Sequence, residues 1–179
     1  MKKSLFIIFA FLLLSTSVFS QRKINFGLEQ DILPYMFGGY FVGGFVSVDH
    51  FRARMIYANV TKPDFILESG FTNNKIEASA FLLDYFLSSD QKGIWLGFGL
   101  VIWNGSVQTK NQSGTAFHRD YLFSTGGGYN YFLTDQLYMS PWCAIHTKVG
   151  GTKNVAVNNK TFSTPLFNPE ASLKFGWIF

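Results

Sequence analysis

The strongest constraint on this chain lies in its last nine residues. Ala171, Leu173, Phe175, Trp177 and Phe179 are apolar at every second position, and Glu170, Ser172, Lys174, Gly176 and Ile178 between them are mostly small or polar. A β-strand turns successive side chains to opposite faces, so this stretch has one greasy face and one wet face. A soluble domain rarely ends on an apolar strand face with a terminal Phe.

The same two-residue period recurs along the chain, and no segment carries a convincing 3.6-residue period. Alternation bounded by turn formers predicts strands at about 23–31, 39–48, 51–60, 75–87, 92–103, 118–132 and 136–149, and an eighth closing at Phe179. The connections alternate. Asp49-His50, 88–91 and 133–135 are tight, while 61–74, 104–117 and 150–166 are long and polar, with Pro63, Gly70 and Asn73-Asn74 as turn formers in the first. The loop after the first strand, with Pro34, is intermediate.

Residues 1–20 read as a secretory signal peptide. Met1-Lys2-Lys3 precedes an apolar run from Leu5 to Leu14, and small residues lead to a cut after Ser20. The expected mature domain is 21–179, and no Cys near the cut favours a lipid anchor. Past residue 20, no apolar run approaches the ~20 residues of a membrane helix. Aromatics reach 18% while charged residues are only 15%, against about 25% in ordinary soluble domains. Removing Lys2 and Lys3 takes the formal net charge from +4 to +2. No basic stripe remains, so nucleic acid is not an expected partner. The single Cys143 cannot make an internal disulfide and reads as a small strand residue.

An exported, aromatic-rich, charge-poor chain of eight strands fits an all-β, eight-stranded antiparallel up-and-down transmembrane β-barrel. A secreted lipocalin-like barrel has the same strand count with inverted faces, and would bind apolar ligands inside. The charges favour the membrane form. Glu29, Arg52, Arg54, Glu77, Asp120, His146, Lys148, Glu170 and Lys174 are expected on one inward face as a polar network of the lumen. Facing lipid, each Arg or Lys near the midplane would cost roughly 2–4 kcal/mol. An eight-stranded barrel is just wide enough for its own side chains to fill. Gly97, Gly99, Gly126 and Gly128 would leave room there for Trp95, Trp103, Tyr138 and Trp142. Tyr57, Tyr85, Phe86, Tyr121, Tyr131, Phe132, Phe175 and Trp177 gather near strand ends, as interfacial girdles do.

Signs of chemistry are thin. His50 reads as a turn residue and His146 as a hydrogen-bonded lumen residue. His118 shares a face with Asp120 near Ser113, the parts of an activated nucleophile, and these three are the minority catalytic candidates. No Cys pair, His-x-x-x-His or Asp-rich loop points to a metal, and no cofactor is expected.

The closing strand, with Phe175, Trp177 and Phe179, resembles that of Gram-negative outer-membrane barrels, where such an ending is the assembly signal. With the leader, strand count and loop pattern, the chain resembles the small barrels of the OmpX, OmpW and OmpA-transmembrane-domain type. That resemblance implies the cell outer membrane, with lipid, lipopolysaccharide and the assembly machinery as partners. It implies a non-enzymatic barrel whose outer loops serve envelope support, adhesion or ligand contact, without an OmpA-like peptidoglycan-binding domain. A narrow pore or apolar-solute conduit is one alternative, and a lipid A-modifying enzyme acting at the outer rim is another. The deacylases' His-Ser pair is absent, since Arg119 follows His118 and Thr147 follows His146.

Overall fold

The computed structural model describes residues 23–110 and 114–179, so the expected leader and Ser113 lie outside the described residues. Eight strands close a barrel: β1 (Ile24–Asp31), β2 (Tyr40–Val48), β3 (Phe51–Lys62), β4 (Phe71–Phe86), β5 (Gly93–Thr109), β6 (Thr115–Phe132), β7 (Leu137–Gly151) and β10 (Phe167–Ile178). Every neighbour is antiparallel, and β10 returns to pair with β1. Short turns join β2 to β3, β4 to β5 and β6 to β7 at one end. At the other, the loop end, the links hold a short helix α1 (Ile32–Met36), a 3-10 turn (Asp64–Ile66) and a hairpin of β8 (Asn154–Val157) with β9 (Lys160–Ser163). Asp49, in the β2–β3 turn, has φ 47°, a left-handed conformation that Asp tolerates better than most residues.

Register fixes the slope of the strands. Stepping across partners from Ile24 passes Val48, Phe51, Tyr85, Leu96, Gly127, Cys143 and Ala171, and the β10–β1 pairing then leads back to position 34, ten residues further on. Eight strands with a shear of ten tilt by about 40°, a slope typical of such barrels.

The exterior is apolar. Met55 is 71% exposed, Leu100 61% and Phe98 53%, whereas Arg52 beside them in the wall is 1% exposed. The faces are therefore those of a transmembrane barrel, and the lipocalin-like inversion is ruled out. Phe175, Trp177 and Phe179 stand on the apolar exterior. Tyr57, Tyr85, Tyr121 and Tyr131 do too, while Phe86 is fully buried and Phe132 half-buried against Tyr138, so these two leave the expected girdle.

Two expectations need correction. The inward face of β4 carries Ile76, Ala78, Ala80, Leu82 and Asp84, and its outward face carries Glu77, Ser79, Phe81, Leu83 and Tyr85. Glu77 is therefore exposed on the exterior, outside the lumen. It sits beside Asn59 and Asn104 in register, with Arg119 next in the row, where the wall has risen into the polar zone. The stretch 104–117 is mostly strand, since β5 runs to Thr109 and β6 starts at Thr115. Its outward Asn104, Ser106 and Gln108 can be polar because they stand above the apolar band. Val107 and Ala116 turn inward to pack with Phe71, Val157 and Phe162, which ties the β8–β9 hairpin over that side of the mouth.

Candidate functional site

The lumen has two halves of different character. Toward the turn end it is filled by charge. Arg52 donates to Glu29 at 2.9 Å, to Asp84 at 2.8 Å and to the Tyr138 hydroxyl at 2.9 Å, and Tyr138 donates to Glu29 at 2.6 Å. Arg54 bridges the same two carboxylates at 3.2 and 2.9 Å, and the Lys174 ammonium lies 3.6 Å from Glu29. Three cations thus share two carboxylates. Aromatic faces supply what the carboxylates do not. The Arg52 guanidinium lies over Phe86 at 4.8 Å and Phe45 at 5.3 Å, and Lys174 over Trp95 at 4.8 Å. Buried charges are tolerable only when paired and hydrogen-bonded in this way. Asp84 does not stand out in the sequence, because it shares the face of Ile76, Ala78, Ala80 and Leu82. The signal that could have found it is the run Phe81, Leu83, Tyr85, which leaves Asp84 the inner side.

Glycine makes room for this plug. A Cβ on Gly176 would fall within the ring and hydroxyl of Tyr138, whereas one on Gly44 would meet nothing nearer than 3.9 Å. Gly176→Val is expected to cost about 1–3 kcal/mol by overpacking, and Gly44→Ala close to nothing. Urea unfolding in vesicles would check this, and equal midpoints for the two variants would refute it.

Toward the loop end the lumen is hollow. The inward residues there are small, including Ala58, Ala78, Ala80, Gly97, Gly126 and Ala144, and they leave a cavity of about 630 Å³. The expectation of a side-chain-filled lumen therefore applies to the turn-end half and fails in the loop-end half. Ile56, Leu82, Val101, Trp103 and Trp142 make the rest of the wall apolar, and Arg54 and Lys174 reach its floor. Polar groups ring its upper part: His146 bonds Glu170 at 2.9 Å, and Lys62 donates to Asn168 at 3.1 Å while lying 4.6 Å from the Trp103 ring centroid.

His118 and Asp120 do meet, Nδ1 to carboxylate at 3.2 Å, and Lys148 Nζ is 2.7 Å from Asp120. Lys148 also donates to the Thr152 carbonyl and the Thr164 hydroxyl. The group is buried beneath Phe162, whose ring centroid is 5.7 Å from that of His118. His118 Nε2, the atom that would activate a nucleophile, has no hydrogen-bond partner among the described residues. The arrangement is an ion-pair clasp between β6, β7 and the β7–β10 loop. No group of three or more metal-ligating side chains forms among the described residues. Cys143 is exposed on the exterior.

No protein-family model matches the sequence, and no curated protein matches it. Several solved structures share the fold. The major outer membrane protein of Thermus thermophilus aligns with a TM-score of 0.60 at 12% identity, covering 87% of this chain and 99% of that one. The N-terminal β-barrel domain of Pseudomonas aeruginosa OprF aligns with a TM-score of 0.55 at 11% identity, covering 89% and 100%. Neisserial surface protein A aligns with a TM-score of 0.53 at 12% identity, covering 87% and 94%. At such identities the likeness carries the fold and no residue roles. By its fold, this chain is a small eight-stranded β-barrel of the outer-membrane kind.

Proposed function

We propose that this is a non-enzymatic barrel of the outer membrane that takes a small apolar or amphipathic ligand into the loop-end half of its lumen and does not conduct ions. The observation that carries this reading is the division of the lumen: an apolar cavity of about 630 Å³ above a paired, buried charge plug. Cavities of a few hundred Å³ with apolar walls and a few polar groups suit drug-sized ligands. The plug disfavours the pore reading, because water and ions would have to displace Arg52, Glu29 and Asp84 from one another. The buried clasp at His118 does not favour lipid A chemistry. Within this reading the chain is exported by a cleaved leader, and Phe175, Trp177 and Phe179 serve as its signal to the assembly machinery.

Two measurements test the proposal. In planar bilayers the protein is expected to give no stepwise conductance. In nanodiscs, with empty discs as control, a dansyl-labelled fatty acid is expected to accept energy from the lumen tryptophans. Filling the cavity with Ala78→Phe and Ala80→Phe together is expected to weaken that binding by about ten-fold or more, at least 1.4 kcal/mol. Binding unchanged by the filled cavity, or steady single-channel currents, would overturn the proposal.

A further inference from the structure

The barrel wall is incomplete on one side. β1 pairs with β10 over five rungs only, from Gly27–Ile178 to Asp31–Lys174. β10 continues past them to Phe167 along β7. On the other flank, β2 pairs with β1 as far as Glu29–Gly43, and Tyr40 to Val42 pair with β3 alone. Beyond Asp31, one strand's width is therefore missing, among the described residues, between the upper edges of β10 and β2. Pro169 lies on that β10 edge. It has no N–H to donate, and proline is accepted in sheets where one side goes unpaired.

The short helix α1 stands in this gap and touches β10, β2 and β3. It has two faces. Ile32, Tyr35 and Met36 are exposed to the exterior, Met36 by 70%. Leu33, Pro34 and Phe37 line the cavity, as do Pro169 and Ala171 on the open edge of β10. The flanking exterior residues Val42 and Phe167 are exposed and apolar, and the Tyr40–Tyr57 ring pair at 5.9 Å marks the upper end of the apolar band there. The gap thus opens where the outer half of a bilayer's hydrocarbon would lie.

Few ties hold α1. At its start, the Asp31 carboxylate caps the Leu33 N–H at 3.0 Å and accepts from Trp142 at 2.7 Å and Ser172 at 2.5 Å. Further along, the Tyr35 hydroxyl contacts Gln30 Oε1 at 2.7 Å and the Phe41 carbonyl at 3.1 Å. The Phe37 and Gly39 N–H groups close on the Pro34 carbonyl and the Gly38 N–H on that of Tyr35, so this turn pairs part of its own backbone where an open sheet edge would pair none.

We propose that α1 is a side gate through which a single acyl chain passes from the outer leaflet into the cavity. The proposal rests on the ligand-binding reading above and adds the route and the ligand class. The chain's chemistry is set by what it would touch: hydrocarbon outside, Ile32 and Met36 at the sill, and Leu33, Phe37 and the alanine-lined wall inside. A ligand arriving from water through the mouth is the competing outcome.

Trp95, Trp103 and Trp142 border the cavity, while Trp177 faces the exterior. The test uses Trp177→Phe protein in vesicles of phosphatidylcholine with brominated acyl chains, which quench tryptophan at short range. The expected result is clear quenching that disappears when Ala78→Phe and Ala80→Phe fill the cavity. In stopped-flow mixing with a brominated fatty acid, Tyr35→Phe removes the later ties of α1. It is expected to speed both uptake and release by about ten-fold while leaving the affinity nearly unchanged. Quenching that persists in the filled variant comes from lipid outside the wall and would overturn the gate. Quenching by the added fatty acid but not by brominated lipid would overturn the gate and leave the pocket reading standing. Quenching by neither would overturn both.

Discussion

Glu29→Leu is expected to destabilise the folded barrel by about 3–5 kcal/mol, the usual cost of removing one partner from a buried charge group. Glu29 is 1% exposed and is the shared partner of Arg52, Arg54, Lys174 and the Tyr138 hydroxyl. Without it, Asp84 alone must balance three cations. Reversible urea unfolding in vesicles measures the change, and the heat shift on a cold detergent gel reports it qualitatively. Arg54→Met in the same protein is expected to recover part of the loss, since it removes one of the stranded cations. The coupling between the two substitutions is then a fraction of the single effects rather than zero. A loss below about 1 kcal/mol for Glu29→Leu would mean that water reaches the plug and screens it.

Met55→Arg carries the second large effect. Met55 projects from the middle of β3 into the apolar band and is 71% exposed. An Arg there should cost about 2–4 kcal/mol, falling to about 0–1 kcal/mol near the interface. Glu77→Arg, on the exterior of β4 beside Asn59 and Asn104, is therefore expected to be nearly neutral. The comparison tests the face assignment of β4 directly. If Glu77 lay in the lumen, Glu77→Arg would bury a further cation and be a costly change as well. Folding yield and urea midpoint in vesicles separate the two cases.

The error at β4 has a plain physical cause. Both of its faces are apolar through the middle of the strand: Ala78, Ala80 and Leu82 inside, and Phe81 and Leu83 outside. Period two then carries no sign, and the one charge that drew attention, Glu77, stands above the apolar band where charge on the exterior is harmless. Asp84 lies at membrane depth and is the charge that decides the face. The 104–117 stretch misled for a related reason. Polar alternation above the bilayer looks like loop composition, although Val107 is fully buried.

The plug was partly readable. The inward direction of Glu29, Arg52, Arg54 and Lys174 follows from each strand's own alternation, because a charge at membrane depth has nowhere else to go. His146 and Glu170 meet across β7 and β10, and Asp120 and Lys148 meet across β6 and β7. The inward direction of these residues was legible, but their partners were not. Partnership follows from register, which the long 150–166 connection leaves open between β7 and β10 and which the irregularity at Tyr121–Leu122 shifts between β6 and β7.

The eight strands of the barrel, the short-turn and long-loop ends, and the inward or outward direction of most side chains follow from local alternation, since a strand's period acts on each residue without reference to the rest. The β8–β9 hairpin within 150–166 does not, because its four-residue strands are too short to show a period. Nor do the shear of ten, the hollow above the plug and the gap stopped by α1. The hollow exists because Ala58, Ala78, Ala80, Gly126 and Ala144, from four different strands, come to line one cavity. The gap exists because β1 ends at Asp31 while β10 runs on to Phe167. The hollow and the gap depend on how strands of unequal length are offset around a closed ring, and that offset is a property of the whole barrel.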